Sequence, residues 1–91
     1  MQIECRFFGP FREATGTERT LRETDVGTVG ALLSDLEGEY PELAGRLVGD
    51  GEPAGSTVVT KEKRDVRHLD GLDTELEDGD VIRLVPSVYG G

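Results

Sequence analysis

The run Val85-Pro86-Ser87-Val88-Tyr89-Gly90-Gly91 closes the sequence on two glycines and a carboxylate. Neither glycine has a Cβ, so that carboxylate stands on the thinnest and most permissive backbone a chain can have. Such an end can be threaded into a narrow site and held by main-chain contacts. It suits a protein whose own C-terminus is the reacting group. A Gly-rich end is also a common place for a domain to fray, so the rest of the chain must decide between the two. Other groups able to do chemistry are few. There is one cysteine, Cys5, and one histidine, His68. Cys5 lies in an alternating segment and reads as a small core residue rather than a nucleophile. A single cysteine cannot form an internal disulfide. One Cys and one His do not make a protein metal site of the usual kind, and His68 reads as a surface or strand residue. No nucleophile and base stand at a recognisable spacing, and no carboxylate pair stands out among 19 acids. Gly49-Asp50-Gly51 lacks the further glycines and the Lys-Ser/Thr pair of a phosphate loop, and reads as a turn.

Composition narrows the classes. With 91 residues the chain is one domain. A domain of this size buries only about 60–65% of its unfolded surface, so its core is modest. No apolar run is long enough for a transmembrane helix. The first residues alternate rather than following the basic-then-apolar layout of a signal peptide, which places the protein in the cytoplasm, away from membranes; a monomer is the simplest reading of its state. The net charge of −9 repels phosphate backbones and argues against nucleic acid as a partner. Of the ten cations, only Lys61 and Lys63 are lysines. An acidic surface with scarce lysine is similar to that of proteins from a salt-rich cytoplasm, where screening removes self-repulsion.

The elements that must position the tail can be read in order. Ile3, Cys5 and Phe7 alternate with Gln2, Glu4 and Arg6, which predicts a half-buried strand over 2–8. Gly9-Pro10 breaks it, and 11–16 is a connection with one helical turn. A Thr-rich alternation predicts a second strand over 17–23, closing a hairpin. Thr28 is a candidate N-cap. Val29, Leu32, Leu33, Leu36 and Tyr40 follow at helical spacing, predicting a helix over 28–39 that Pro41 stops. Leu43 and Leu47 continue the apolar stripe. Residues 48–56 form a loop, 57–61 a strand, 62–65 a turn and 66–69 a shorter strand. Leu72 and Leu76 plug the core beneath a loop. Asp78-Gly79-Asp80 turns into a last strand over 81–85, whose ladder Pro86 ends. The expected architecture is α+β, a mixed sheet of four to five strands crossed by one main helix. The last strand would lie beside the first in the sheet centre and aim the tail outward. The domain spans 1–86 and a flexible tail spans 87–91.

Several pieces then combine. They are Phe7-Phe8-Gly9-Pro10-Phe11-Arg12-Glu13-Ala14-Thr15-Gly16, Thr28-Val29-Gly30-Ala31-Leu32-Leu33-Ser34-Asp35-Leu36, Leu76-Glu77-Asp78-Gly79-Asp80-Val81-Ile82-Arg83-Leu84 and the terminal Gly90-Gly91. Their order and spacing resemble the ubiquitin-like β-grasp family (MoaD/ThiS) that includes the small subunit of molybdopterin synthase, the thiazole-pathway sulfur carrier and small archaeal modifier proteins. The acidic, lysine-poor composition resembles a salt-adapted small archaeal modifier within it. Family tails often read Pro-Pro-Val-small-Gly-Gly; Pro86 and Val88 match, whereas Ser87 and Tyr89 depart. The turn Glu62-Lys63-Arg64 lacks the Asn-Gly often found there.

The resemblance implies the following chemistry. A carboxylate is a poor acyl donor, so an E1-like activating enzyme using ATP and Mg would adenylate Gly91. A sulfur nucleophile would then give a thiocarboxylate, and a target lysine an isopeptide. Gly91 is the reacting residue and Gly90 gives steric passage. Tyr89, Val88 and Pro86 belong to a docking segment that could add to a partner's sheet or groove. Phe8 and Phe11 are candidates for a partner-facing apolar patch, with core packing or loop anchoring as the alternative. The acidic surface would steer the chain to a basic partner face, or is simply a solvated face. Lys61 and Lys63 are candidate acceptors of another modifier. Three functions follow: a covalent protein modifier, a sulfur carrier for molybdopterin biosynthesis or tRNA thiolation with the large subunit of molybdopterin synthase as a partner, and a β-grasp interaction module that never uses its tail. None of the three makes this chain an enzyme, and none gives it a bound cofactor.

Overall fold

The computed structural model describes residues 1–55 and 57–87. Val88, Tyr89, Gly90 and Gly91, and with them most of the expected tail, lie outside the described residues. Strands β1 (Gln2–Phe7) and β2 (Arg19–Glu23) form an antiparallel hairpin with helix α1 (Pro10–Thr15) between them. Helix α2 (Val29–Glu39) follows, then β3 (Thr57–Lys61), β4 (Arg64–Asp65) and β5 (Val81–Pro86). The strands form one sheet in the order β2-β1-β5-β3-β4. β5 runs parallel to β1 and antiparallel to β3. This is the expected mixed β-grasp sheet, with the last strand beside the first.

Period-two alternation makes the sheet two-sided. Ile3, Cys5 and Phe7 on β1, Ile82 and Leu84 on β5 and Val59 on β3 point to the core and are buried. On α2, Val29, Leu32, Leu33 and Leu36 recur at helical spacing and are all buried. Each such side chain contributes about 1.5–3 kcal/mol by leaving water. Thr28 is the N-cap: its backbone is extended and its Oγ1 accepts the Ala31 N–H at 3.2 Å. The helix stops at Tyr40, which is extended because it precedes Pro41. Leu43, Leu47 and Leu76 complete the core. Gly30 survives inside the helix for a packing reason: a Cβ there would lie 3.0 Å from the Cβ and carbonyl oxygen of Leu72.

Three expectations are corrected. Residues 66–69 do not form a strand. The Asp65 carboxylate accepts the Arg67 N–H at 2.8 Å and opens a one-turn 3-10 helix, Val66–His68, that buries Val66. The turn shortens to Glu62 and Lys63, with Glu62 at φ 58°, so β4 begins at Arg64. β2 starts at Arg19, because Thr15 Oγ1 donates to the Thr17 carbonyl at 3.1 Å and Thr17 Oγ1 to the Arg19 carbonyl at 2.9 Å, which holds the chain in a turn. Pro86 ends the ladder of β5 as expected, as that strand's last residue, paired with Thr57.

Candidate functional site

The candidate site begins where β5 ends. β5 pairs with β1 from Val81 to Leu84 and with β3 as far as its last residue, Pro86. Beyond β1, the Phe8 N–H donates to the Leu84 carbonyl at 3.1 Å and carries that pairing one step further. The chain then turns at Gly9, with φ 56° and ψ −130°, a conformation open to glycine and costly for other residues. The missing side chain makes room for Pro86, whose Cγ would lie 3.2 Å from a Cβ on Gly9. On the other side, buried Thr57 faces Pro86 and donates its hydroxyl to the Arg46 carbonyl at 2.5 Å. The root of the tail is therefore clamped between two strands and a turn, and Gly91 lies five residues beyond it.

The two phenylalanines part company. Phe8 stays at the surface, 39% exposed, whereas Phe11 is buried at 2% and belongs to the core. Phe11 is the first apolar residue of α1, which lays it against the core with the Arg46 guanidinium 5.4 Å from its ring centroid. It is not part of a surface patch. Val58 and Val85, paired on the sheet face away from α2, are half-buried.

The surface beside Phe8 is basic. Arg19, Arg6 and Arg83 stand opposite one another on β2, β1 and β5, a row of three like charges across the open face. Like charges directly opposite destabilise a sheet, and two acceptors offset this. Glu4 receives the Arg6 Nε–H at 2.5 Å and lies 3.9 Å from Arg19, and the Glu62 carbonyl receives Arg83. The hydrogen bond from Arg6, with the charges of Arg6, Arg19 and Arg83 around it, holds the Glu4 carboxyl below its ordinary range. Arg6, Phe7, Phe8, Arg12, Glu18 and Arg19 line a cleft of about 380 Å³, with Arg12 paired to Glu18 at 2.6 Å. Although the chain is acidic as a whole, the surface around Phe8 is arginine-rich. The acidic surface expected from the net charge, whether steering or merely solvated, is therefore not the surface around Phe8.

The two lysines also separate. Lys61 is 17% exposed, and its Nζ donates to the Glu75 carbonyl at 2.9 Å and to Glu77 at 3.0 Å, with Asp80 at 3.6 Å. Hydrogen bonding to Glu77, aided by the Asp80 charge, raises its pKa. Lys63 is exposed in the two-residue turn between β3 and β4. Cys5 is buried under α2, and loss of solvation pushes its thiol up to about 12, so it is no nucleophile. His68 is exposed at the end of its 3-10 turn. No cluster of metal-ligating residues occurs among the described residues, and no helix there is long and apolar enough to cross a membrane. Sequence reasoning missed the arginine row. Its signal is present in the pleat, since Arg6, Arg19 and Arg83 all fall on outward positions, but only strand register brings them together.

Comparison with known proteins adds a second line. The model of the ThiS family matches residues 5–91. Small archaeal modifier protein 3 of Haloferax volcanii is 48% identical over 92 residues, spanning 100% of both chains. A Haloferax volcanii protein solved in solution is also 48% identical and superposes with a TM-score of 0.89, covering 100% of this chain and 87% of its own. The sulfur carrier protein CysO of Mycobacterium tuberculosis is 32% identical over 83 residues, 88% of each chain.

Proposed function

The chain belongs to the ThiS family, and on that footing we propose that it is a ubiquitin-like protein modifier, joined through Gly91 to lysines of other proteins. The observation that carries this reading is the 48% identity, end to end, with a protein named as a small archaeal modifier. The chemistry needs a separate E1-like activating enzyme that uses ATP and Mg. Adenylation replaces an oxide leaving group by AMP, and a lysine amine then attacks the carbonyl carbon of Gly91. This chain supplies the acyl group and the surfaces that position it. Gly91 reacts and Gly90 leaves the passage clear. Tyr89, Val88 and Pro86 dock, with Pro86 fixed at the root by Gly9 and Thr57. Phe8 and the surrounding arginines face the partner, where an acidic rim around an apolar pocket would complement them.

A second reading, sulfur carriage through a Gly91 thiocarboxylate, is favoured by the similarity to CysO. It shares the adenylate, and its acceptors would be the molybdopterin or tRNA thiolation machinery, including the large subunit of molybdopterin synthase. Removing Gly90-Gly91 tests both readings against a module that never uses its tail. The truncated chain should keep its thermal midpoint, because β5 ends at Pro86. It should lose all covalent conjugates and fail to support sulfur transfer in cells. Full cellular function without the two glycines would contradict both.

A further inference from the structure

β2 stands at one end of the sheet, and among the described residues only β1 pairs with it. An antiparallel ladder alternates hydrogen-bonded and non-hydrogen-bonded pairs. Its phase here is fixed at both ends: the Phe7 N–H donates to the Glu18 carbonyl at 2.9 Å, and the Thr24 N–H to the Met1 carbonyl at 2.9 Å. In that phase Thr20 and Arg22 turn their backbone groups inward to Cys5 and Ile3, whereas Arg19, Leu21 and Glu23 turn theirs to the open edge. The Arg19 N–H and carbonyl rest on the Thr17 hydroxyl, at 3.4 and 2.9 Å. The first contact is long for a hydrogen bond, and the carbonyl keeps a second lone pair. The N–H and carbonyl groups of Leu21 and Glu23 have no partner among the described residues. Such an edge is a template for another strand. It holds no proline, and its middle residue is an exposed leucine.

The order of charges along the strand identifies what fits it. Arg19-Thr20-Leu21-Arg22-Glu23 is complementary to its own reverse. With a second copy laid antiparallel and Leu21 opposite Leu21, Arg19 faces Glu23 of the second copy and Glu23 faces its Arg19. All three side chains are exposed on the open face. Thr20 falls opposite Arg22, so no like charges meet. The phase agrees too, since Leu21 aims both backbone groups outward and can exchange both bonds with its counterpart. Sliding the strands by two residues sets Leu21 against Arg19 or Glu23 and loses the ion pairs. The seam also answers the arginine row. Arg83, Arg6 and Arg19 stand side by side, and the next position across the seam is a carboxylate, Glu23 of the second copy.

We propose that β2 is a self-pairing edge, through which two copies of this chain join their sheets in a two-fold dimer. The contact is the same patch on both copies and closes on itself. It goes beyond the acyl-transfer reading and does not depend on it. β5 lies inside each sheet, between β1 and β3, so the seam leaves Pro86 uncovered. The two-fold rotation sends the two tails toward opposite ends of the joined sheet. A seam of five residues a side buries little surface, so the dimer is weak and forms with concentration. The charge of −9 on each copy opposes it at low salt, and molar KCl screens that repulsion. The protein is then a reversible dimer rather than the monomer expected from sequence alone.

The test follows the full-length chain in molar KCl by sedimentation equilibrium, at concentrations up to about 1 mM, and by amide exchange in NMR. A monomer–dimer equilibrium should appear. The Leu21 and Glu23 N–H groups should exchange more slowly as concentration rises, a readout that needs no substitution. Arg19→Glu and Glu23→Arg each turn both attractive pairs into repulsive ones and should weaken the dimer about tenfold. The two changes together restore opposite charges and should restore the dimer. Circular dichroism of dilute samples shows that the variants remain folded, and removing Gly90-Gly91 should leave the dimer unchanged. A monomer at every concentration, a dimer indifferent to either single change, a double variant no better than the single ones, or a dimer lost with Gly90-Gly91 would each overturn the seam and leave the modifier reading standing. Leu21 and Glu23 amides slowed only by added cell extract would give the edge to an extended segment of another protein and overturn self-pairing.

Discussion

Replacing Gly9 by alanine probes the root of the tail. Gly9 sits at φ 56° and ψ −130°, which costs a residue with a Cβ about 1–3 kcal/mol. The new Cβ would also lie 3.2 Å from Pro86 Cγ, and relieving that contact means moving the end of β5 or the turn, at about 1 kcal/mol or more. The two effects share one cause and do not simply add. We expect Gly9→Ala to destabilise by about 2 kcal/mol, which for a domain of this size lowers Tm by roughly 8–16 °C. Gly38→Ala is the control. Gly38 lies within α2 with nothing within 4 Å of a Cβ, so alanine should stabilise by about 0.5–1 kcal/mol through helix propensity. Calorimetry or circular dichroism melting of the three proteins gives the answer. A Gly9→Ala protein that melts with the wild type, or two variants that shift in the same direction, would refute the claim that Gly9 is there to seat Pro86.

Other expectations follow from particular contacts. Glu37 Oε2 accepts the Leu47 and Val48 N–H groups at 3.0 and 3.1 Å; Glu37→Ala strands both donors and should cost about 2 kcal/mol in urea unfolding, and Glu37→Gln less. Wild-type stability in Glu37→Ala would show that water replaces the carboxylate at no cost. The Glu4 and Glu39 carboxyls are held below 4.5, by Arg6 and by Arg22 respectively. A lowered folded-state pKa gives stability that is present above 4.5 and is lost as pH falls through the lowered value. The urea midpoint should therefore decline below about pH 4.5, less steeply in a Glu4→Gln, Glu39→Gln double variant; identical profiles would contradict the assignment. With a net charge of −9, Tm should rise between low and molar KCl as self-repulsion is screened, and a flat salt profile would count against a salt-adapted surface.

The sequence made the central elements legible because they obey local rules. Alternation around Ile3, Cys5 and Phe7, helical spacing from Val29 to Leu36, the Thr28 cap and the Pro41 stop are all written within a few residues of one another. The errors lie where a distant or opposed contact decides. Val66 looks like a strand residue, yet the Asp65 carboxylate turns the chain at the next step. Phe11 could serve either a surface patch or the core after a Gly-Pro break, and only α1 decides for the core. Register with Glu4 sets Leu21 on the open face, 54% exposed, while Arg22 reaches Glu39 on the helix side. At the site, the terminal glycines and Phe8 could be picked out as candidates from motif and position alone. The difference between Lys61 and Lys63 could not, since the carboxylates that occupy Lys61 come from residues 77 and 80. The arginine row likewise depends on three separate strands.

The chemical state of Gly91 in native cells tests the central claim most directly. Protein recovered under denaturing conditions and mapped by mass spectrometry should show Gly91 in isopeptide linkage to lysines of other proteins, at amounts that fall to zero when Gly90-Gly91 is deleted. Gly91 found only as a thiocarboxylate would select the sulfur carrier instead. Gly91 found only as an unmodified carboxylate under every growth condition would contradict the account that this fold exists to present its C-terminus for acyl transfer.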